Sequence, residues 1–151
     1  MERGGGDKAL ERGEAVIDAS VVVKWFVREE YTEDSLRLRD AYVDGLVDLL
    51  APCILHMEVL NALKYSGGFG EDELKEVASI LDGYQFTLRD LTGSYAERTV
   101  EIAMRKGLTI YDASYVALAL VNETVLYTAD EKLIRRVSSL GVVRHVAEFA
   151  P

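Results

Sequence analysis

An α/β fold with a central, mainly parallel sheet is predicted by three features of the sequence. Short apolar runs that suit buried strands recur along the chain, among them EAVID, LVDLLAP and TVLYT. Segments with apolar residues at helical spacing lie between them. Strands joined through helices need crossover connections, which are right-handed and leave a parallel sheet covered on both faces.

The chain has 151 residues, 49% of them apolar, enough to bury one substantial core. Residues 1–13 carry three consecutive glycines and no apolar periodicity, and are expected to form a flexible N-terminal arm before a single domain over residues 14–151. EAVID reads as the first strand, and Ser20 is placed to cap a helix through VVVKWFV. TEDSLRLRDAYVDG reads as a helix capped by Thr32 and stopped by Gly45, and LVDLLAP as a strand ended by Pro52. Two helices follow, CILHMEVLNALKYSGG, closed by paired glycines, and EDELKEVASILDG. YQFTLRD returns as a strand, SYAERTVEIAMRKG is a helix stopped by Gly107, and YDASYVALALVN is another helix. TVLYT, ADEKLIRRVSSLG and VVRHV complete the pattern as strand, helix and strand. No fixed-period repeat is present, and the triplet DAS at 18–20 and 112–114 is too short to count as a duplication.

Apolar runs such as YVALALV fall far short of the roughly 20 residues a membrane helix needs. The polar opening MERGGGDKALERG lacks a signal-segment pattern, so a cytoplasmic location is expected. Cys53, the single cysteine, is expected to be a small core residue. The net charge of −9 argues against a broad basic footprint for nucleic acid, although much of the acidic excess lies in helix faces such as GEDELKEV.

Four acids stand out. Asp18 closes the first strand, and ligands of open parallel sheets bind beyond the carboxyl ends of strands. Asp130 follows TVLYTA at another strand end, where Thr128 and Glu131 have capping-box spacing. Asp112 precedes ASYVALAL, a helix apolar enough to run through the interior, and would cap it. Glu58 lies among Leu55, Val59, Leu60 and Leu63 with Asn61 three residues on. Either it is a buried carboxylate in need of a partner, or Glu58 and Asn61 form a solvent-facing polar stripe. Capping accounts for the other three singly, but not for all four acids in one small domain. Convergence of these carboxylates would raise their pKa values unless a divalent cation neutralised them, and oxygen donors suit Mg²⁺ or Mn²⁺ better than zinc.

In order and spacing, VIDAS, APCILHMEVLNAL, IYDASYVALA and YTADEKL resemble the PIN domain, and within it the small VapC-like toxin ribonucleases of toxin–antitoxin pairs. The resemblance covers nearly everything after residue 13. It implies a three-layer α/β/α fold with the acids at the carboxyl edge of a parallel sheet. It also implies a metal-binding quartet of Asp18, Glu58, Asp112 and Asp130, with Thr128 as the hydroxyl beside the last acid. Ser20 and Ser114 would be capping or supporting groups, and Asn61 a neighbour of Glu58. The implied activity is Mg²⁺- or Mn²⁺-dependent hydrolysis of RNA, with an antitoxin protein as partner and a homodimeric assembly. In that scheme the three aspartates are the nearer ligands, and Glu58 holds a second ion or orients the attacking water.

Lys24 and Arg28 after the first Asp, and Lys132, Arg135 and Arg136 after the last, are candidates for phosphate contacts or are ordinary solvated helix residues. Trp25, Tyr111 and Tyr115 are candidates for stacking on bases or for core packing. His56 and His145 show no metal-ligand spacing and receive no catalytic role. A phosphatase with DxD after the first strand and a receiver with paired acids there are both opposed by Asp18-Ala19-Ser20. A nuclease for RNA processing and an idle binding module remain the alternatives to a toxin.

Overall fold

The computed structural model describes residues 13–151, so the expected arm lies outside the described residues except for Gly13, which already opens the first strand. The chain runs β1 (Gly13–Ile17), α1 (Ala19–Val23), α2 (Thr32–Val43), β2 (Val47–Pro52), α3 (Leu55–Ser66), α4 (Glu71–Tyr84) and β3 (Thr87–Arg89). It continues through α5 (Gly93–Lys106), α6 (Ile110–Val121), β4 (Val125–Thr128), α7 (Glu131–Arg136) and β5 (Val143–His145), with short 3₁₀ turns on either side of β5.

All five strands are parallel, in the order β3-β2-β1-β4-β5. Successive side chains of a strand point to opposite faces, so the consecutive burial of Ala15, Val16 and Ile17 in β1 and of Leu49 to Pro52 in β2 means that both faces are covered. Helix α6 touches β1, β2 and β4, and α5 backs it. Seven consecutive residues of α6, Ala113 to Ala119, are buried, as a helix apolar on every side requires. No helix among the described residues is long and apolar enough to cross a membrane.

The strand order positions the site. From β1 the chain steps outward through β2 to β3, then returns to the other side of β1 as β4 and steps outward again to β5. The reversal lies between β1 and β4, and a crevice for ligands opens at the carboxyl edge of such a switch point. Asp18 directly follows β1 there, and Asp130 follows β4 by two residues.

Several local expectations are corrected. Helix α1 begins at Ala19 and ends at Val23, because the chain turns at Trp25, whose Nε1 donates to the Ser35 carbonyl at 2.9 Å and whose ring meets Tyr84 edge-on. Thr32 is the first residue of α2 rather than its cap. Its hydroxyl accepts from the Glu29 amide and donates to the Val27 carbonyl, closing the preceding loop. Helix α4 continues through Gly83 to Tyr84. Gly67 and Gly107 end α3 and α5 with φ of 90° and 65°, a conformation that glycine adopts without steric cost. Cys53 is exposed in the turn after β2, its Sγ 3.0 Å from Asp90 Oδ1, and is not a core residue.

Candidate active site

Asp18 is 7% exposed and occupies the N-cap position of α1, yet its side chain makes no cap hydrogen bond. Oδ1 instead accepts from Ser20 Oγ at 2.6 Å. Ser20 Oγ also accepts from the Ala129 amide at 2.9 Å and lies 3.3 Å from Thr128 Oγ1, so this one hydroxyl ties the end of β1 to the end of β4. Burial pushes the Asp18 carboxyl up to about 6, against the opposing hydrogen bonds of Ser20, Thr128 and the Val21 amide and with the negative charge of Asp130 adding to it. A Ser20→Ala variant loses three bonds at once. It is expected to be less stable by about 1–3 kcal/mol, read as a lowered thermal midpoint, and an unchanged midpoint would contradict this role.

Asp130, not Thr128, caps α7: its Oδ1 accepts from the Leu133 amide at 3.1 Å, while its own amide donates to Thr128 Oγ1 at 3.0 Å. Thr128 is thereby fixed between the two acids as the last residue of β4. Asp112 is likewise not a cap. Thr109 caps α6 by accepting from the Asp112 amide at 3.0 Å, and Asp112 sits in the first turn with its carboxylate left over. Its pKa is raised by partial burial first and by Asp130 second.

Glu58, in the first turn of α3, is half-buried and has the partner that its surroundings demand: Tyr115 Oη donates to Glu58 Oε1 at 2.7 Å. Tyr115 itself is 2% exposed, and its phenol is raised by burial and then by Glu58, with Asp18 contributing. Electrostatic coupling thus links Asp18 with Asp130, Asp130 with Asp112, and Tyr115 with both Glu58 and Asp18. Asn61 is exposed, and with Glu58 and Tyr111 it lines an open, largely apolar groove of about 1010 Å³ against α4.

The two DAS triplets have different fates for a geometric reason. At the strand-to-helix corner, Ser20 can reach Asp18 two residues back. Inside α6 residues two apart do not share a face, and Ser114 Oγ donates to the Tyr111 carbonyl at 2.6 Å, leaving Asp112 without it. Ser114 is therefore corrected from a site residue to a helix residue. Tyr115, read from the sequence as a stacking or core candidate, lies three residues after Asp112 on the same helical face, but its bond to Glu58 spans 57 residues and no local spacing signals it.

The basic candidates divide as well. Lys24 and Arg28 lie beyond the end of α1 and share no helix face; Lys24 pairs with Glu29 at 2.9 Å with its side chain 11% exposed, and Arg28 pairs with Glu33 at 2.7 Å. Arg136 donates to the Gly107 carbonyl at 3.0 Å, and Lys132 and Arg135 are exposed on α7, the helix that Asp130 caps. Of the three aromatic candidates, Tyr111 is 60% exposed beside Asp112, whereas Trp25 and Tyr115 are engaged within the fold.

The acidic site is open. Among the described residues, no three His, Cys, Asp or Glu groups close around a common point. Mg²⁺ suits such a setting, since it keeps several of its waters and takes only one or two protein carboxylates, and the all-oxygen donor set favours Mg²⁺ or Mn²⁺ over zinc. A desolvated Asp18 facing the charge of Asp130 is what a cation would relieve, so the residues present fit the ion.

The family model for the PIN domain matches residues 15–140. The chain belongs to the PIN domain family. This PIN domain is 33% identical to Ribonuclease VapC3 of Pyrobaculum aerophilum over 132 residues, covering 83% of this chain and 95% of the relative. In fold it matches a toxin–antitoxin complex from Klebsiella pneumoniae with a TM-score of 0.67, at 18% identity over 89% of this chain and 99% of the other. It also matches VapC20 of Mycobacterium tuberculosis, a sarcin–ricin loop cleaving toxin, with a TM-score of 0.66, at 15% identity over 91% of this chain and 99% of the other.

Proposed function

We propose that this PIN domain is a metal-dependent endoribonuclease, the toxin of a toxin–antitoxin pair, which hydrolyses RNA phosphodiester bonds with Mg²⁺ or Mn²⁺. The observation that carries the proposal is Asp18, a carboxyl buried at the β1/β4 switch point, raised to about 6 and coupled to Asp130. The 33% identity with a protein named as a ribonuclease supports the chemistry, and the fold shared with a toxin–antitoxin complex supports an antitoxin partner.

In this proposal one or two of Asp18, Asp112 and Asp130 would hold the ion directly and the remaining acids, with Glu58 on α3, would act through its waters. When bound, the ion would activate water and stabilise charge on the phosphate and on the leaving oxygen. Ser20 and Thr128 keep the Asp18 carboxylate in one orientation. Lys132 and Arg135 flank the acids as positive groups for the RNA backbone, which answers the objection from net charge: a local pair of cations beside a neutralised site counts for more than the total of −9. Tyr111, exposed beside Asp112, offers a ring for an unpaired base. The protein acts in the cytoplasm as a homodimer; exposed Val100 and Met104, four residues apart on α5, offer an apolar strip for that contact.

The test is cleavage of single-stranded and structured RNAs with Mg²⁺, Mn²⁺ or EDTA, after any bound partner has been stripped away. Wild-type protein is expected to cut in a metal-dependent manner, and a folded Asp112→Asn variant to lose at least about 100-fold in rate. A wild type that stays inert with either metal, matched by the variant, would favour an idle binding module instead.

A further inference from the structure

We propose that Tyr115 is a positioning residue for the acidic site: its hydroxyl holds the Glu58 carboxylate in the orientation in which it joins the aspartates. The inference rests on the nuclease proposal and extends it to a residue outside the acidic quartet. Three observations carry it. Tyr115 Oη donates to Glu58 Oε1 at 2.7 Å, a short charge-assisted bond between α6 and α3. Tyr115 lies three residues after Asp112, so the same face of α6 presents both the tyrosine and an acid of the site. The ring is 2% exposed, which fixes the hydroxyl as firmly as the core fixes the helix.

The chemistry of the pair sets the direction of the bond. A carboxylate offers only acceptors, so the phenol must donate. Glu58 has three side-chain torsions and stands half-exposed at the mouth of an open groove. Without the tyrosine it would sample several rotamers, and an acid that must meet a cation would spend part of its time elsewhere. A buried tyrosine that merely needed an acceptor would be satisfied by a backbone carbonyl, as Tyr95 is by that of Ser114. Tyr115 instead directs its only proton to the one acid that α3 supplies.

The experiment measures Mn²⁺ binding by calorimetry and RNA cleavage for wild type, Tyr115→Phe, Glu58→Ala and the double variant, with folding checked by circular dichroism. Phenylalanine keeps the ring and its packing and removes only the hydroxyl. Tyr115→Phe is expected to weaken Mn²⁺ binding about 10-fold and to lower kcat with little change in KM. In the Glu58→Ala background the same change is expected to add nothing, because the hydroxyl acts through Glu58. Wild-type affinity in Tyr115→Phe, or an equal loss in both backgrounds, overturns the positioning role and leaves the nuclease proposal standing. A wild type that binds no Mn²⁺ overturns both. Should Tyr115→Phe fail to fold, Glu58→Asp carries the test: it keeps the charge but draws the carboxylate back from the fixed Tyr115 hydroxyl, and Mn²⁺ binding at wild-type affinity would overturn the positioning role.

Discussion

Replacing Asp18 by Asn is expected to raise the thermal midpoint of the metal-free protein at pH 7.5 while abolishing RNA cleavage. The carboxyl is raised from 3.8 to about 6, so its charged form is disfavoured by the fold. That displacement corresponds to about 3 kcal/mol against the ionised native state. For a raised carboxyl the folded state binds more protons than the unfolded one between 3.8 and about 6. Stability contributed by this group is therefore greatest below 3.8, falls as pH rises toward 6, and is flat above it. Asparagine keeps an acceptor for Ser20 and removes the charge. In EDTA the midpoint at pH 7.5 is expected to rise by about 5–10 °C, with little difference at pH 4, where the wild-type acid is protonated for most of the population. A variant less stable than wild type at pH 7.5 would show that Asp18 is tied down by its hydrogen bonds rather than penalised by its burial.

The same residue shows what can be read from sequence. Asp18 and Asp130 were legible because a run of buried strand residues followed by an acid marks a strand end, and the strand ends of a parallel sheet share one edge. The core of α6 was legible from its unbroken apolar run. Caps were misplaced where an acid stood near a helix start: the Thr109-x-x-Asp112 spacing already marked Thr109, yet the carboxylate drew the assignment. The early end of α1 was not legible, because it depends on Trp25 meeting Tyr84 and Ser35, contacts made only after the chain has folded back. Cys53 misled for a similar reason, since an apolar neighbourhood in sequence turned out to be a turn held at the surface by the Arg89 carbonyl and Asp90. The partner of Glu58 came from a different helix altogether, at a separation of 57 residues that no local pattern reports.

The raised acids also make metal binding a function of pH in a range that can be measured. A cation needs its carboxylate ligands deprotonated, so protons compete with it wherever those acids titrate. With Asp18 at about 6, protons compete through it weakly at pH 7.5 and strongly at pH 5, and the raised Asp112 acts in the same direction. At pH 5 only about one Asp18 in ten is ionised, which weakens the apparent affinity about tenfold through this residue alone. Mn²⁺ at about 100 times its dissociation constant stabilises by about 2.7 kcal/mol; after a tenfold loss of affinity the same concentration gives about 1.4 kcal/mol, and less once Asp112 is counted. Thermal melts with and without Mn²⁺ are therefore expected to show a midpoint increase at pH 7.5 that is halved or smaller at pH 5, and that disappears at both pH values in Asp18→Asn. The metal-free wild type changes the other way, because Asp18 contributes about 1.4 kcal/mol more at pH 5 than at pH 7.5, so the ion cancels the pH preference that this residue gives the chain. An equal midpoint increase at the two pH values would remove Asp18 from the ligand set, because a ligand with this titration cannot bind a cation equally well on both sides of it.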